Sequence, residues 1–310
     1  MPWTEADIPD QSGRTALITG ANSGLGLQSA KALAAKGARV LLACRSAERG
    51  AQALRAVQEV AHTEPRLITL DLADLSSVRK AAAEAREDGA LHLLINNAGL
   101  MATPHGTTAD GFELQFGTNY LGHAALTWLL MPALREGTDA RVVTLTSIGA
   151  FGARLHLDDP NFEHRRYNAA AAYGQSKLAN QVFALELDRR LRAADEDIRS
   201  VAAAPGYTAT GLGSAMAASY SSVLVRKALR AAFKIGDVVL AQNVRRGALP
   251  QLYAATAPEV NGGDYVAPKT FQMRGEPVII QPVRPALDRA TGAALWARTA
   301  ELTGITPDPM

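Results

Sequence analysis

Two tyrosines in this chain each precede a lysine by four residues, Tyr173 with Lys177 and Tyr265 with Lys269. The spacing matters chemically only on a helix, where residues four apart are neighbours. A phenol, with an ordinary pKa of about 10, is a poor base at neutral pH, and an ammonium one turn away stabilises its phenolate and lowers that pKa. Such a tyrosine can donate a proton to a carbonyl oxygen or accept one from an alcohol. Around Tyr265 the sequence forbids the arrangement, because Gly262-Gly263 precedes it and Pro268 interrupts it. Around Tyr173 the sequence favours it: the segment runs on into Leu178-Ala179-Asn180-Gln181-Val182-Phe183, good helix material. Only the first pair is a candidate for proton exchange.

The second chemical feature lies near the N-terminus. Thr19-Gly20-Ala21-Asn22-Ser23-Gly24-Leu25-Gly26 follows the apolar run Ala16-Leu17-Ile18 and opens a helical stretch near Leu25. Glycines in such a turn allow a tight bend, close approach of backbone to a pyrophosphate, and close helix–strand packing. The free N–H groups and dipole of the helix N-terminus then hold the phosphate charge. Gly20, Asn22, Ser23, Gly24, Leu25 and Gly26 are therefore candidate dinucleotide contacts. An NAD site usually places Asp or Glu after the second strand to accept from the ribose 2′-hydroxyl. Here the chain reads Leu41-Leu42-Ala43-Cys44-Arg45-Ser46, with no acid. Arg45 could instead pair with a 2′-phosphate through a charge-assisted contact, so NADP(H) is expected in preference to NAD(H). With a nicotinamide present, Tyr173 would exchange its proton as hydride moves.

These groups need a scaffold, and the alternation of short apolar runs with alanine-rich stretches predicts one. Strands are expected at 15–19, 39–43, 67–70, 91–96 and 141–146, with helices at 25–36, 47–61 and 76–87 between them. Gly37 and Gly89 stand where helices stop. Strand then helix, repeated, calls for parallel neighbours joined by crossovers. Farther on, helices are expected at about 170–194, 212–233, 238–255 and 286–302, and strands at 198–204 and 264–267. The expectation is an α/β chain: one doubly wound Rossmann domain over 1–310, with a central parallel sheet of about seven strands and helices on both faces. The 310 residues are 47% hydrophobic and 20% charged, which is globular and not disordered. A net charge of +2 without a basic block argues against nucleic acid. No run of 18 apolar residues spans a bilayer, the N-terminus is unlike a signal peptide, and the lone Cys44 fits a reducing compartment, so a cytoplasmic location is expected.

The motifs, taken in order, resemble the short-chain dehydrogenase/reductase family. Thr19–Gly26 is similar to its Thr-Gly-x-x-x-Gly-x-Gly, Asn96-Asn97-Ala98-Gly99 to its Asn-Asn-Ala-Gly, and Tyr173–Lys177 to its Tyr-x-x-x-Lys. Ser147 follows the fifth strand, Asn119 stands in Gly117-Thr118-Asn119-Tyr120, and Pro205-Gly206 with Thr208 follows the sixth strand. The resemblance covers roughly residues 14–270. It implies that Ser147 polarises the substrate oxygen, Lys177 also holds the nicotinamide ribose, and Asn119 keeps a proton-relay water. It further implies that Asp71 and Leu72 flank the adenine, Asn97, Ala98 and Gly99 line the cleft, and backbone around Pro205, Gly206 and Thr208 orients the carboxamide. Ala43-Cys44-Arg45-Ser46, residues 173–180 and Leu157-Asp158-Asp159-Pro160-Asn161-Phe162 resemble the retinol dehydrogenase branch, which is largely NADP-preferring. Retinoid-active members usually carry a membrane anchor, and the chain shows none.

Substrate choice is expected to lie in the loop 151–172 and in 212–233, read as a lid over a small, fairly apolar substrate. A membrane-touching amphipathic helix is the other reading of 212–233, and 286–310 forms a C-terminal extension. His105, His123, His156 and His164 lack metal-ligand spacing, so no metal is expected, and Cys44 reads as strand-end packing. The expected activity is interconversion of an alcohol and a carbonyl. A sensor or scaffold that binds NADP(H) without turnover is the alternative, though it predicts losses among Asn119, Ser147, Tyr173 and Lys177, which are intact. An epimerase or dehydratase would need a larger C-terminal domain than follows Pro205. The resemblance also implies pairing into a homodimer or homotetramer through the helices holding Asn119 and Tyr173.

Overall fold

A computed structural model describes residues 2–205 and 243–309. Eight strands form one sheet in the order β3-β2-β1-β4-β5-β6-β7-β8. They are β1 (Thr15–Thr19), β2 (Arg39–Cys44), β3 (Arg66–Thr69), β4 (Leu93–Asn96), β5 (Ala140–Leu145), β6 (Ile198–Ala203), β7 (Tyr265–Thr270) and β8 (Arg274–Ile280). Every pairing from β3 through β7 is parallel, and β8 runs antiparallel to β7. Residues of β1, β4 and β5 are all buried, as expected of strands covered on both faces.

Alternate strand residues point to opposite faces, and two apolar layers result. Leu17, Leu41, Ile68, Leu94 and Val142 face α3 (Leu75–Arg86), α5 (Gly122–Glu136) and α6 (Ala169–Ala193). Ala16, Ile18, Val40, Leu42, Ile95 and Val143 face α1 (Gly24–Ala34), α2 (Ala47–Gln58) and α7 (Val244–Thr256). The strand order reverses between β1 and β4, and in such sheets the crevice outside the carboxyl ends there receives ligands. The glycine turn, Asn97 and Ser147 all follow strands at that end.

The sheet differs from expectation at its far edge. β8 has no counterpart in the apolar pattern, because it is a half-exposed edge strand containing Pro277. Tyr265 and Lys269 both lie in β7, where four residues span about 13 Å, so they are not neighbours. Lys269 instead meets Glu276 across the hairpin at 3.0 Å. The helix expected at 286–302 is two, α8 (Arg284–Leu287) and α9 (Arg289–Thr303). Asp288 separates them, and its carboxylate accepts from the Thr291 N–H at 2.9 Å as the N-cap of the second. The expected lid, 212–233, and the start of the helix expected from 238 lie outside the described residues, as do Gly206 and Thr208.

Candidate active site

The glycine turn adopts a backbone that only glycine tolerates well. Gly20 and Gly24 have φ of +66° and +54°, in the left-handed region. A Cβ on Gly26 would lie 2.5 Å from the Gly20 carbonyl oxygen and 2.6 Å from Asn97 Nδ2, so nothing larger fits. Ser23 stands at the N-cap of α1 but makes no side-chain capping bond, and no acid occupies the first turn. Asn22 and Leu25 are half-buried beside it. The turn thus offers positive dipole and amide groups with no internal anion to satisfy them.

Thr19 fastens this turn to the loop after β4. Its Oγ1 accepts from the N–H groups of Asn97 and Ala98, both at 2.9 Å. Asn97 Nδ2 donates back to the Thr19 carbonyl at 2.7 Å. At the end of β2, Arg45 is exposed and makes no ion pair among the described residues. The Leu70 N–H donates to the Cys44 carbonyl at 3.0 Å, drawing the β3 end alongside. Asp71 Oδ1 accepts from the Ala73 N–H at 3.0 Å, and Leu72 is buried.

Across the cleft, α6 begins with Asn168 accepting from the Ala171 N–H at 2.9 Å. Tyr173 sits in the next turn, with its ring about 3 Å from where a Gly149 Cβ would stand. Ser147 follows β5 and caps a single 3-10 turn, Ile148–Ala150, by accepting from the Gly149 N–H at 3.2 Å. Burial holds the Tyr173 phenol above its ordinary pKa, and a hydrogen bond with Ser147 opposes that shift. Lys177 is 5% exposed, and its Nζ donates to the Leu145 carbonyl at 3.1 Å. Burial lowers that amine to about 8.

Asn119 lies within a π-turn, Gly117–Leu121, between α4 (Leu114–Phe116) and α5. Its Oδ1 accepts from the Leu100 N–H at 2.7 Å, and its Nδ2 donates to the Leu100 carbonyl and Ser176 Oγ, both at 2.9 Å. A Cβ on Gly99 would lie 3.3 Å from Asn119 Oδ1 and 3.4 Å from Lys177 Nζ, so the two side chains converge on that glycine. The structure therefore brings together the loop 97–99, Asn119, Ser147, Tyr173 and Lys177. Pro205 follows β6, half-buried, on the same side of the sheet.

A model of the family described as short chain dehydrogenase matches residues 14–220. The chain belongs to the short-chain dehydrogenase family. Human retinol dehydrogenase 13 is 36% identical over 97% of this chain and 87% of its own length. Mouse polyprenol dehydrogenase is 37% identical over 96% of this chain and 86% of its own. The crystal structure of an uncharacterized protein from Mycobacterium paratuberculosis superposes with a TM-score of 0.81 at 40% identity, covering both chains fully. These relatives put the chain in the retinol dehydrogenase-like branch, as an oxidoreductase acting on CH–OH or C=O groups.

As a short-chain dehydrogenase the protein uses a nicotinamide dinucleotide, and the uncapped, acid-free turn at Gly20–Gly26 fits its pyrophosphate. One expectation needs correction. Lys177 is expected to lower the Tyr173 pKa, whereas burial sets the phenol above its ordinary value, opposed by the hydrogen bond with Ser147. The amine is turned instead toward Leu145 and Gly99. Two residues escaped the sequence reading. Arg49, one turn into α2, contributes positive charge at Cys44, the residue before Arg45. Its signal was its place four residues after Arg45. His123, considered only as a metal ligand, touches both Asn119 and Thr19.

Among the described residues no group of three His, Cys, Asp or Glu side chains could hold a metal, and no helix is long and apolar enough to cross a membrane. The expected loop at the pocket mouth runs irregularly to Asn168, stitched to α6 where Gln175 accepts from the His156 N–H and donates to the Pro160 carbonyl. A cavity of about 340 Å³ opens beside Gly149, lined by Phe151, Arg154, His156, Arg165 and Gln175. A larger groove of about 530 Å³ lies along the end of α6, lined by Glu186, Arg189 and Arg289, and includes none of the candidate site residues.

Proposed function

We propose that this protein is an NADP(H)-dependent alcohol dehydrogenase or carbonyl reductase in which Tyr173 is the general acid/base. The observation that carries the reading is the convergence of Ser147 and Tyr173, hydrogen-bonded to each other, beside a buried Lys177 and Asn119. The bound dinucleotide supplies or takes the hydride. Tyr173, kept protonated by burial, donates its proton to the substrate oxygen in the reducing direction. Ser147 donates a second hydrogen bond to that oxygen, where negative charge grows in the transition state. Lys177 would hold the nicotinamide ribose and, with Asn119 positioning a water, would return a proton to the phenol. NADP(H) preference rests on Arg45 and Arg49 at a strand end that has no acid immediately after it. Asp71 and Leu72 would flank the adenine, and the backbone at Pro205 would face the carboxamide. The substrate is a small, fairly apolar alcohol or carbonyl compound; the named relatives act on retinol and polyprenol.

The test is turnover of NADPH with a panel of aldehydes and ketones by the wild type and by Tyr173→Phe. Loss of roughly a thousandfold in kcat with unchanged NADPH affinity is expected. Equal turnover by the variant would remove Tyr173 from the mechanism. NADPH binding by the wild type with no turnover across the panel would favour a cofactor sensor.

A further inference from the structure

The π-turn at Gly117–Leu121 has a consequence at the Asn119 carbonyl. In an α-helix that oxygen would face the N–H four residues on; a π-turn shifts the backbone pairing by one residue, and the Asn119 oxygen here also meets a side chain, His123 Nδ1, at 2.8 Å. A carbonyl can only accept, so Nδ1 carries the proton and Nε2 is bare. Nε2 lies 2.9 Å from Thr19 Oγ1. Thr19 Oγ1 already accepts from the Asn97 and Ala98 N–H groups, and its one proton has two acceptors in reach, the Ile95 carbonyl at 3.5 Å and the bare Nε2 at 2.9 Å, of which Nε2 is the nearer. Both ring nitrogens thereby have a partner, and the imidazole is 1% exposed. Burial pushes the histidine pKa down to about 4; the Asn119 carbonyl opposes that and the Lys177 charge adds to it.

We infer that His123 is a positioning residue: as the neutral Nδ1–H tautomer it ties the π-turn carrying Asn119, at one end of the ring, to Thr19, the first residue of the dinucleotide turn, at the other. One ring joins two functions, because Asn119 fixes Leu100 and meets Ser176 and the Gly99 approach, while Thr19 fixes the backbone of Asn97 and Ala98. The inference rests on the proposed roles of Asn119 and the glycine turn. It predicts that the two ends of the ring can be lost separately.

Two near-isosteres divide the imidazole. An asparagine amide nitrogen sits where Nδ1 does, and a glutamine amide reaches where Nε2 does. His123→Asn should keep kcat within about threefold while weakening NADPH binding, read by fluorescence titration, about tenfold. His123→Gln should do the reverse, keeping the dissociation constant and lowering kcat about tenfold, and His123→Leu should lose both. Long-range ¹H–¹⁵N spectra of the unliganded wild type should show the Nδ1–H tautomer, unprotonated at pH 6. An Nε2–H tautomer would overturn the inference without any variant having to fold. So would Asn and Gln variants that match the wild type in both constants, or that lose both equally. A wild type with no affinity for NADPH would instead sink the proposed function, leaving the tautomer to decide the hydrogen-bond chain.

Discussion

Lys177→Met should make this protein more stable at neutral pH while removing its activity. The ammonium is 5% exposed and, among the described residues, donates to a single carbonyl, that of Leu145, at 3.1 Å. Burial brings its pKa from 10.5 to about 8. At about 1.4 kcal/mol for each tenfold, keeping the charge at pH 7 costs about 3 kcal/mol. Methionine fills nearly the same space without charge but loses the hydrogen bond to Leu145, which returns about 1 kcal/mol of that gain. The Leu145 oxygen is not orphaned, since Asn180 Nδ2 also donates to it at 2.8 Å. The net gain is about 2 kcal/mol, or about 3 °C in Tm for a chain of 310 residues. The pH dependence separates this account from simple improvement in packing. The unfolded chain keeps the lysine proton up to about 10.5, while the folded protein releases it near 8. Wild-type stability therefore rises through that window, and the variant's advantage shrinks across it. Thermal denaturation of both proteins at pH 7 and pH 10 measures the effect. A variant less stable than wild type at pH 7, or one whose advantage is the same at both pH values, would refute the reasoning.

Three further outcomes are expected. Arg45→Ala should weaken NADPH binding by roughly tenfold or more and leave NADH binding little changed, because the charge-assisted contact to the 2′-phosphate is lost; equal losses for the two dinucleotides would contradict that role. The rate of carbonyl reduction should fall as pH rises through about 8, where Lys177 gives up the charge that supports the phenol's proton supply, and a profile flat to pH 9.5 would count against it. The Cys44 thiol, buried and pushed up to about 11, should resist a disulfide reagent at pH 7.5 until the protein unfolds; rapid labelling of the native protein would show the strand end to be open.

Much of this architecture was legible because parallel strands leave a strong apolar signal and their crossovers another. The runs at β1, β2, β4 and β5 could be placed within two residues, and the glycine turn could be read as backbone chemistry. The rejection of Tyr265 and Lys269 held for a physical reason, since a strand separates residues that a helix would bring together. What escaped depends on contacts between distant segments. β8 is half-exposed and carries a proline, so it gives no apolar alternation to find. The break at Asp288 follows from a capping preference competing with a continuous helical pattern. The direction of Lys177 is set by where β5 ends against α6, and the spacing to Tyr173 alone suggested a different partner. His123 was visible as a residue but not as a link, because nothing in its spacing says that the helix ahead of it is underwound.

That underwound turn also makes the helix intolerant of changes in length. Each residue advances an α-helix by about 100°, so an extra residue accommodated between Phe116 and Gly122 swings the face before it away from the face after it. Ahead of the turn, Glu113 ties the segment to the loop before α6 through Asn161. Behind it, Trp128 and Leu134 belong to the layer under the sheet. Removing one residue would make a straighter helix and a misaligned one, with Asn119 carried about a quarter of the way around its axis. In this element the count of residues, as much as their identity, encodes the site.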